Sequence, residues 1–299
     1  MIGLTVLHHL TENEVTMNTA VRPYEHSKDY EAINRLLIDV YQPGEQLSNW
    51  LQPRWEYMHF HPLINDLPLE RIGVFEQRGE IVGLAHFEHS LAFIYLQSRP
   101  GYEQAWPMML DYVETTFGGR SKMLEREIIG LFVNEFDSAL EVMVADRGFE
   151  SQDKWAEEYS RYAFGRPVPV VGVPDGYRLQ SLADENDYAK TNRVLWRGFN
   201  HEGPPPDAEI AGRIQAQSAP NFRNDLNIVV VAPDGNYASY AGMWFVPENK
   251  VAYVEPVATD PDFRRLGLGR AAVLETLRRV GDLGAESVWV GSGLEFYLS

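Results

Sequence analysis

The sequence predicts a mixed α/β fold built as two tandem domains, residues 17–164 and 177–299. Three observations predict it. At 299 residues the chain is longer than one ordinary core requires. The same order of strands and helices recurs in both halves. Between them "GRPVPVVGVPDG", at 165–176, has the proline and glycine content of a linker. Residues 1–16 carry no comparable pattern and are expected to be a disordered tail or an upstream extension.

In the first half "TAVRP" is a short strand, and an amphipathic helix follows with Ile33, Leu36, Leu37 and Val40 on one face. After an aromatic-rich stretch, "RIGVFEQRGEIVGLAHFEHS" alternates on both sides of "EQRGE", which is a hairpin pattern. "FIYLQ" is a strand, "AWPMMLDYVETTF" a helix and "REIIGLFV" a strand. "SALEVMVADRGF" is a helix ending near Gly148, and "WAEEYSRYAF" is a strand that closes the first sheet. In the second half "YRLQSL" is a strand, followed by two helices, "DENDYAKTNRVLWRGF" and "PDAEIAGRIQAQSA". A hairpin turns at Asp234 and Gly235, "VAYVEPVAT" is the next strand, and the helix opening "GLGRAAVLETLRRV" leads to "SVWVG". No counterpart of the closing strand follows. The "ESVWV" strand is therefore expected to have a bare edge: either the sequence is a shortened version of a longer parent, or a neighbouring chain, as in a homodimer, or the N-terminal tail fills the gap.

Composition narrows the function. With 43 acidic against 26 basic side chains and a net charge of −17, most of the surface repels nucleic-acid phosphates. No apolar run is long enough to span a bilayer, so no membrane partner is expected. The N-terminal residues lack the basic and apolar regions of a secretory signal, so the cytoplasm is the expected location. Zero cysteines exclude a disulfide framework and a thiol nucleophile. The histidine pairs His59/His61 and His86/His89 lack further matched ligands, and no metal is expected.

One segment stands out against the acidic background: "DPDFRRLGLGRAAVLETLRRV", 260–280. Gly267 and Gly269 stand where an apolar-periodic helix begins, so unpaired backbone N–H groups point outward and no Cβ blocks a ligand's approach. The helix dipole adds about half a positive charge. Arg264, Arg265 and Arg270 add more, which makes the helix start a cradle for phosphate. "GLGRAA" also satisfies a dinucleotide-binding fingerprint. That alternative fails on context, because "DPDFRRL" intervenes between the strand and the glycine turn and too little chain follows to complete such a sheet.

The strand-loop-helix segment "VATDPDFRRLGLGRA" resembles the GCN5-related N-acetyltransferase (GNAT) family, whose acyl-CoA loop reads R/Q-x-x-G-x-G/A. Arg264, Gly267 and Gly269 occupy those positions. The resemblance covers the second half well and the first only by element order and the "DRGF" helix end. It implies a tandem GNAT protein with a degenerate first domain and an acetyl-CoA site in the second. Backbone groups of Arg265, Gly267, Leu268, Gly269, Arg270 and Ala271 would bind the pyrophosphate. Those of Val257, Ala258 and Thr259 would pair with the pantetheine arm as an added strand. The first half has Arg99 and Gly101 at the matching place but no second glycine, so its cradle is expected to be lost.

The implied reaction is acetyl transfer to a primary amine of a small molecule by direct attack, without a covalent enzyme intermediate. Glu255, two residues before Val257, is expected by strand alternation to share its face and to act as the base. Tyr297 resembles the family tyrosine that protonates the departing thiolate. The acceptor is expected at the loop between the first two helices of the second domain, lined by Trp196, Phe199, His201 and Glu202, where the family varies most. The alternative is a non-catalytic module that binds CoA or a partner protein on the same scaffold.

Overall fold

The computed structural model describes residues 19–44, 46–47, 50–121, 125–165, 167–170 and 172–298; the tail expected at 1–16 lies outside them. The first half contains β1 (Ala20–Pro23), α1 (His26–Val40), α2 (Gln52–Phe60), β2 (Gly73–Gln77), β3 (Glu80–Phe87) and β4 (Phe93–Ser98). It continues with α3 (Trp106–Thr116), β5 (Gly119–Ser121), β6 (Arg126–Ile128), β7 (Gly130–Phe132) and α4 (Ser138–Asp146). Its sheet runs β1-β2-β3-β4-β7. The expected hairpin turns at Arg78 and Gly79, both with positive φ, as a tight two-residue connection requires.

One element is added here and one expectation changes. The aromatic-rich stretch is helix α2, with Pro53 in its first turn, where a missing N–H costs nothing. "REIIGLFV" is not one strand but two. β6 pairs with β5 in a separate ribbon, while β7 runs parallel to β4. Gly130 permits that approach, since a Cβ there would stand 2.7 Å from the Phe93 ring.

The second half comprises β8 (Ser160–Ala163), β9 (Arg178–Ser181), α5 (Tyr188–Gly198), α6 (Glu209–Gln217), β10 (Ile228–Val231) and β11 (Tyr237–Val246). β12 (Val251–Thr259), α7 (Leu268–Asp282), β13 (Ser287–Val290) and α8 (Glu295–Leu298) follow. The sheet order is β8-β13-β12-β11-β10-β9.

β8 is the strand expected to close the first sheet, and it crosses to the second. It pairs antiparallel with β13, Ala163 opposite Ser287 and Ser160 opposite Val290. The reason is local: β13 presents an edge of unpaired backbone groups, and the side chains that accompany β8 fit the second core. Tyr162 and Phe164 pack on that core, and Phe164 lies where a Cβ on Gly281 of α7 would meet it at 2.6 Å. Ser160 Oγ donates to Ser292 O at 2.6 Å and Phe164 N to Glu286 O at 3.1 Å. No strand after β13 is present among the described residues, as expected, but the edge is not bare. The reason for expecting a homodimer through that edge is therefore gone.

The halves also share a core. Leu47 and Leu51 from the first pack with Trp244, Val246, Tyr253 and Trp289 from the second. Glu56 of α2, fully buried, accepts from Asn221 N at 2.6 Å and Asn221 Nδ2 at 2.7 Å, which satisfies a carboxylate that could not otherwise remain in the interior. No helix among the described residues is long and apolar enough to cross a membrane.

Candidate active site

β12 holds two irregularities that make the site. Against β11 the register runs Ala241 to Val257 and then Met243 to Val254, so Glu255 and Pro256 together oppose the single residue Gly242. This is a β-bulge. Gly242 is required, because a Cβ there would lie 2.4 Å from Glu255 O, and the Trp244 indole N–H donates to that same carbonyl at 3.1 Å. Against β13, β12 pairs only through Val251, Ala252 and Tyr253. Beyond Tyr253 the two parallel strands part. Val257, Ala258 and Thr259 lie on the stretch of β12 that β13 does not cover.

The bulge corrects the alternation argument. Val254 and Val257 both face the second core, while Tyr253 packs on the opposite side, among the residues shared with the first half. Glu255 goes with Tyr253, not with Val257. It reaches the open side of the sheet, where its carboxylate lines a cavity of about 600 Å³. That cavity lies between the halves. Arg54, Tyr57, Glu88 and His89 come from the first half, Lys154, Glu157 and Glu158 from the segment leading into β8, and Tyr253 and Gly291 to Leu294 from the second.

Burial pushes the Glu255 carboxyl up to about 7; the nearby Glu88 charge adds to the rise and Arg54 opposes it. Tyr297, on α8, is pushed up to about 12, first by burial and then by the Glu255 charge. Tyr297 packs against the second core and does not line the cavity, but the Glu255 charge reaches it; Glu255 is poised to accept a proton near neutrality and Tyr297 holds its own. Tyr57 is likewise raised by burial and by Glu255.

At the other end of β12 stands the cradle. Asp260 is fully buried and held by Arg193 Nη1 at 2.7 Å and Arg197 Nε at 2.8 Å; although burial raises its pKa, the Arg197 bond and its other partners hold it below the usual carboxylate value. From this anchor the chain enters the loop with Arg265 at φ 64° and Gly267 at φ 75°, both left-handed. The amides of Leu268, Gly269 and Arg270 precede the first full helical bond, Ala271 N to Gly267 O at 3.0 Å, and no side chain caps them. Nothing lies within 4 Å of where a Cβ on Gly267 would stand. At Gly269 a Cβ would meet Thr259 Oγ1 at 2.9 Å, so this glycine lets α7 rest against the end of β12.

The three arginines divide. Arg264 donates to Thr259 O, Gly198 O and Asn200 Oδ1 at 3.2, 2.9 and 2.9 Å and braces the loop instead of facing a ligand. Arg265 and Arg270 are exposed and make no hydrogen bond or ion pair with another described residue, so their charge remains available. In the first half α3 begins only at Trp106, five positions past Gly101, with proline in its first turn, and Arg99 is spent on Ile81 O and Asp39.

The expected acceptor residues lie elsewhere. Trp196 stacks on His201 at 4.4 Å and donates to Gly203 O at 3.1 Å, while Phe199 is half exposed. None of Trp196, Phe199, His201 and Glu202 lines the cavity that holds Glu255. His201 instead borders a second hollow with Arg193, Arg197 and Pro204. What the sequence did not reveal is the wall from the first half: Arg54, Tyr57 and Glu88 carry no motif and meet Glu255 only through the docking of the halves.

Residues 189–295 match the acetyltransferase (GNAT) family model. No curated protein sequence matches the chain. Among solved structures, a tandem GNAT protein from the clavulanic acid biosynthesis pathway superposes with a TM-score of 0.60 at 14% identity, covering 92% of this chain and 90% of that one. A GCN5-related N-acetyltransferase from Sphaerobacter thermophilus gives 0.57 at 13% identity, covering 94% and 90%. At these identities the likeness is one of fold. The second half thus matches the acetyltransferase (GNAT) family model over residues 189–295, and the whole chain shares the fold of a solved tandem GNAT protein.

Proposed function

We propose that the chain transfers acetyl from acetyl-CoA to a primary amine of a small molecule by direct attack. The observation that carries this reading is the placing of Glu255. A carboxylate with a pKa near 7 stands at the bulge, between an uncovered strand edge that leads to the cradle and a cavity with room for an acceptor. The cradle residues Arg265, Gly267, Leu268, Gly269, Arg270 and Ala271 hold the pyrophosphate, and the free stretch of β12 at Val257, Ala258 and Thr259 holds the pantetheine arm. Glu255 takes a proton from the acceptor ammonium. The amine nitrogen bonds to the thioester carbonyl carbon, the carbon–sulfur bond breaks, the Tyr297 hydroxyl supplies a proton to the departing thiolate, and the second proton lost by the acylated nitrogen restores the tyrosine.

A thiol-release assay with acetyl-CoA against aminoglycosides, polyamines, amino acids and peptide amines tests this. Turnover of at least one amine is expected. Stoichiometric acetyl-CoA binding with no turnover on any amine would make the chain a binding module. Tyr297→Phe is expected to lower kcat at least about tenfold while leaving acetyl-CoA affinity within about twofold, because a thiolate donor matters only as charge develops on sulfur. Calorimetry and steady-state kinetics on the same preparation check the split; equal losses in both would place Tyr297 in binding.

A further inference from the structure

The cavity between the halves holds more negative charge than its own cations balance. Glu88, Glu157, Glu158 and Glu255 line it against Arg54 and Lys154. Arg54 is already committed. Its buried guanidinium lies 4.4 Å from the Trp50 ring centroid, holds Glu88 through Nη2 at 2.5 Å and Nε at 3.3 Å, and holds Glu157 through Nη1 at 2.9 Å. This two-point grip fixes the plane of the Glu88 carboxylate and leaves each oxygen a free lone pair. Glu88 follows directly on β3 and is only 13% exposed, so this acid is a built part of the wall and not a solvated surface charge.

We propose that Glu88, oriented by Arg54, seats the protonated amine of the acceptor beside Glu255 and so delivers its proton to that base. The proposal rests on the acetyl-transfer reading above. An ammonium between Glu88 and Glu255 supplies the positive charge that two neighbouring carboxylates lack. Glu255 then removes one proton and the neutral nitrogen attacks, while Glu88 keeps its grip on Arg54. Arg54 acts only through Glu88 and is a positioning residue. The other titratable groups lining the cavity are Tyr57 of α2, His89 beside Glu88, Lys154, Glu157 and Glu158 at its wall and Tyr253 of β12, and the Glu255 charge also reaches Tyr297 of α8. After burial, it is the Glu88 charge that pushes Glu255 toward its protonated form, with Arg54 opposing it.

Glu88→Gln keeps the size of the side chain and an oxygen for Arg54 but removes the charge. Carbon-13 NMR of the glutamate carboxyls reads Glu255 directly, its resonance being the one absent from Glu255→Gln. In Glu88→Gln its midpoint is expected about one pH unit lower than in the wild type, and Glu88→Asp is expected to restore it. With whichever amine the thiol-release assay identifies, KM is expected to rise about tenfold in Glu88→Gln with a smaller change in kcat. An unchanged midpoint overturns the proposal, as does an unchanged KM; turnover of no amine at all would instead defeat the acetyl-transfer reading on which it rests. Wild-type turnover in Glu255→Gln would instead remove Glu255 as the base, whatever Glu88 does.

Discussion

Glu255→Gln is expected to lower kcat/KM by a factor of about 10²–10⁴, the usual worth of a positioned base, and to abolish the rise of rate with pH. In the wild type the rate should climb as pH passes about 7, because only the ionised carboxylate can take the ammonium proton. The same shift has a thermodynamic sign. Burial raises the folded-state pKa above the ordinary carboxylate value, so the stability contributed by the neutral acid is fully present below that ordinary value and is lost as pH rises through about 7. A glutamine cannot ionise, so the variant should melt no lower than the wild type above pH 7 while losing most of its activity. Rate profiles and thermal melts from pH 5 to 9 check both halves of the statement. A variant that keeps the neutral-pH limb would move the base elsewhere.

The second large effect concerns binding. Wild-type chain is expected to take up one acetyl-CoA in a calorimetric titration, and Gly267→Val to take up none. At φ 75° a β-branched residue is strained by about 1–2 kcal/mol, and its side chain would stand over the amides that open α7. Nothing else in the protein touches that space, so the fold should survive. Gly101→Val is the control. Gly101 has φ 85° and equally open surroundings, so it incurs the same strain in the half that lacks a cradle and should leave the titration unchanged. Loss of binding in both variants would show that strain, not the phosphate cradle, was being measured.

The uncapped, glycine-opened start of α7 could be found in the sequence because its signals are local: two glycines and an arginine spaced by a helix start, in residues close along the chain. The order of strands and helices was visible for a similar reason, since each element's apolar period is its own. The face of Glu255 was not. Strand alternation holds only while pairing is regular, and the bulge at Glu255 and Pro256 shifts it by one. A warning was present, because a proline inside a central strand is confined to bulges and edges. The acceptor wall had no such signal. Arg54 owes its place to the packing of α2 on the second half and Glu88, just past β3, is held by Arg54, and no spacing within either segment encodes those contacts. The destination of β8 was hidden too, for alternation identifies a strand without saying which sheet edge will take it.

That donated strand makes the proline-glycine linker a poor place to cut. A gene split there would leave β13 without its neighbour and α7 without the Phe164 ring, so neither fragment would hold the sheet the whole chain builds. The boundary visible in the sequence is not a boundary in free energy. With the shared core and the crossing strand, the halves should unfold as one cooperative unit. A ligand on α7 then stabilises residues that never touch it: at a concentration a hundredfold above Kd, about 2.7 kcal/mol is added to the first half as well as to the second.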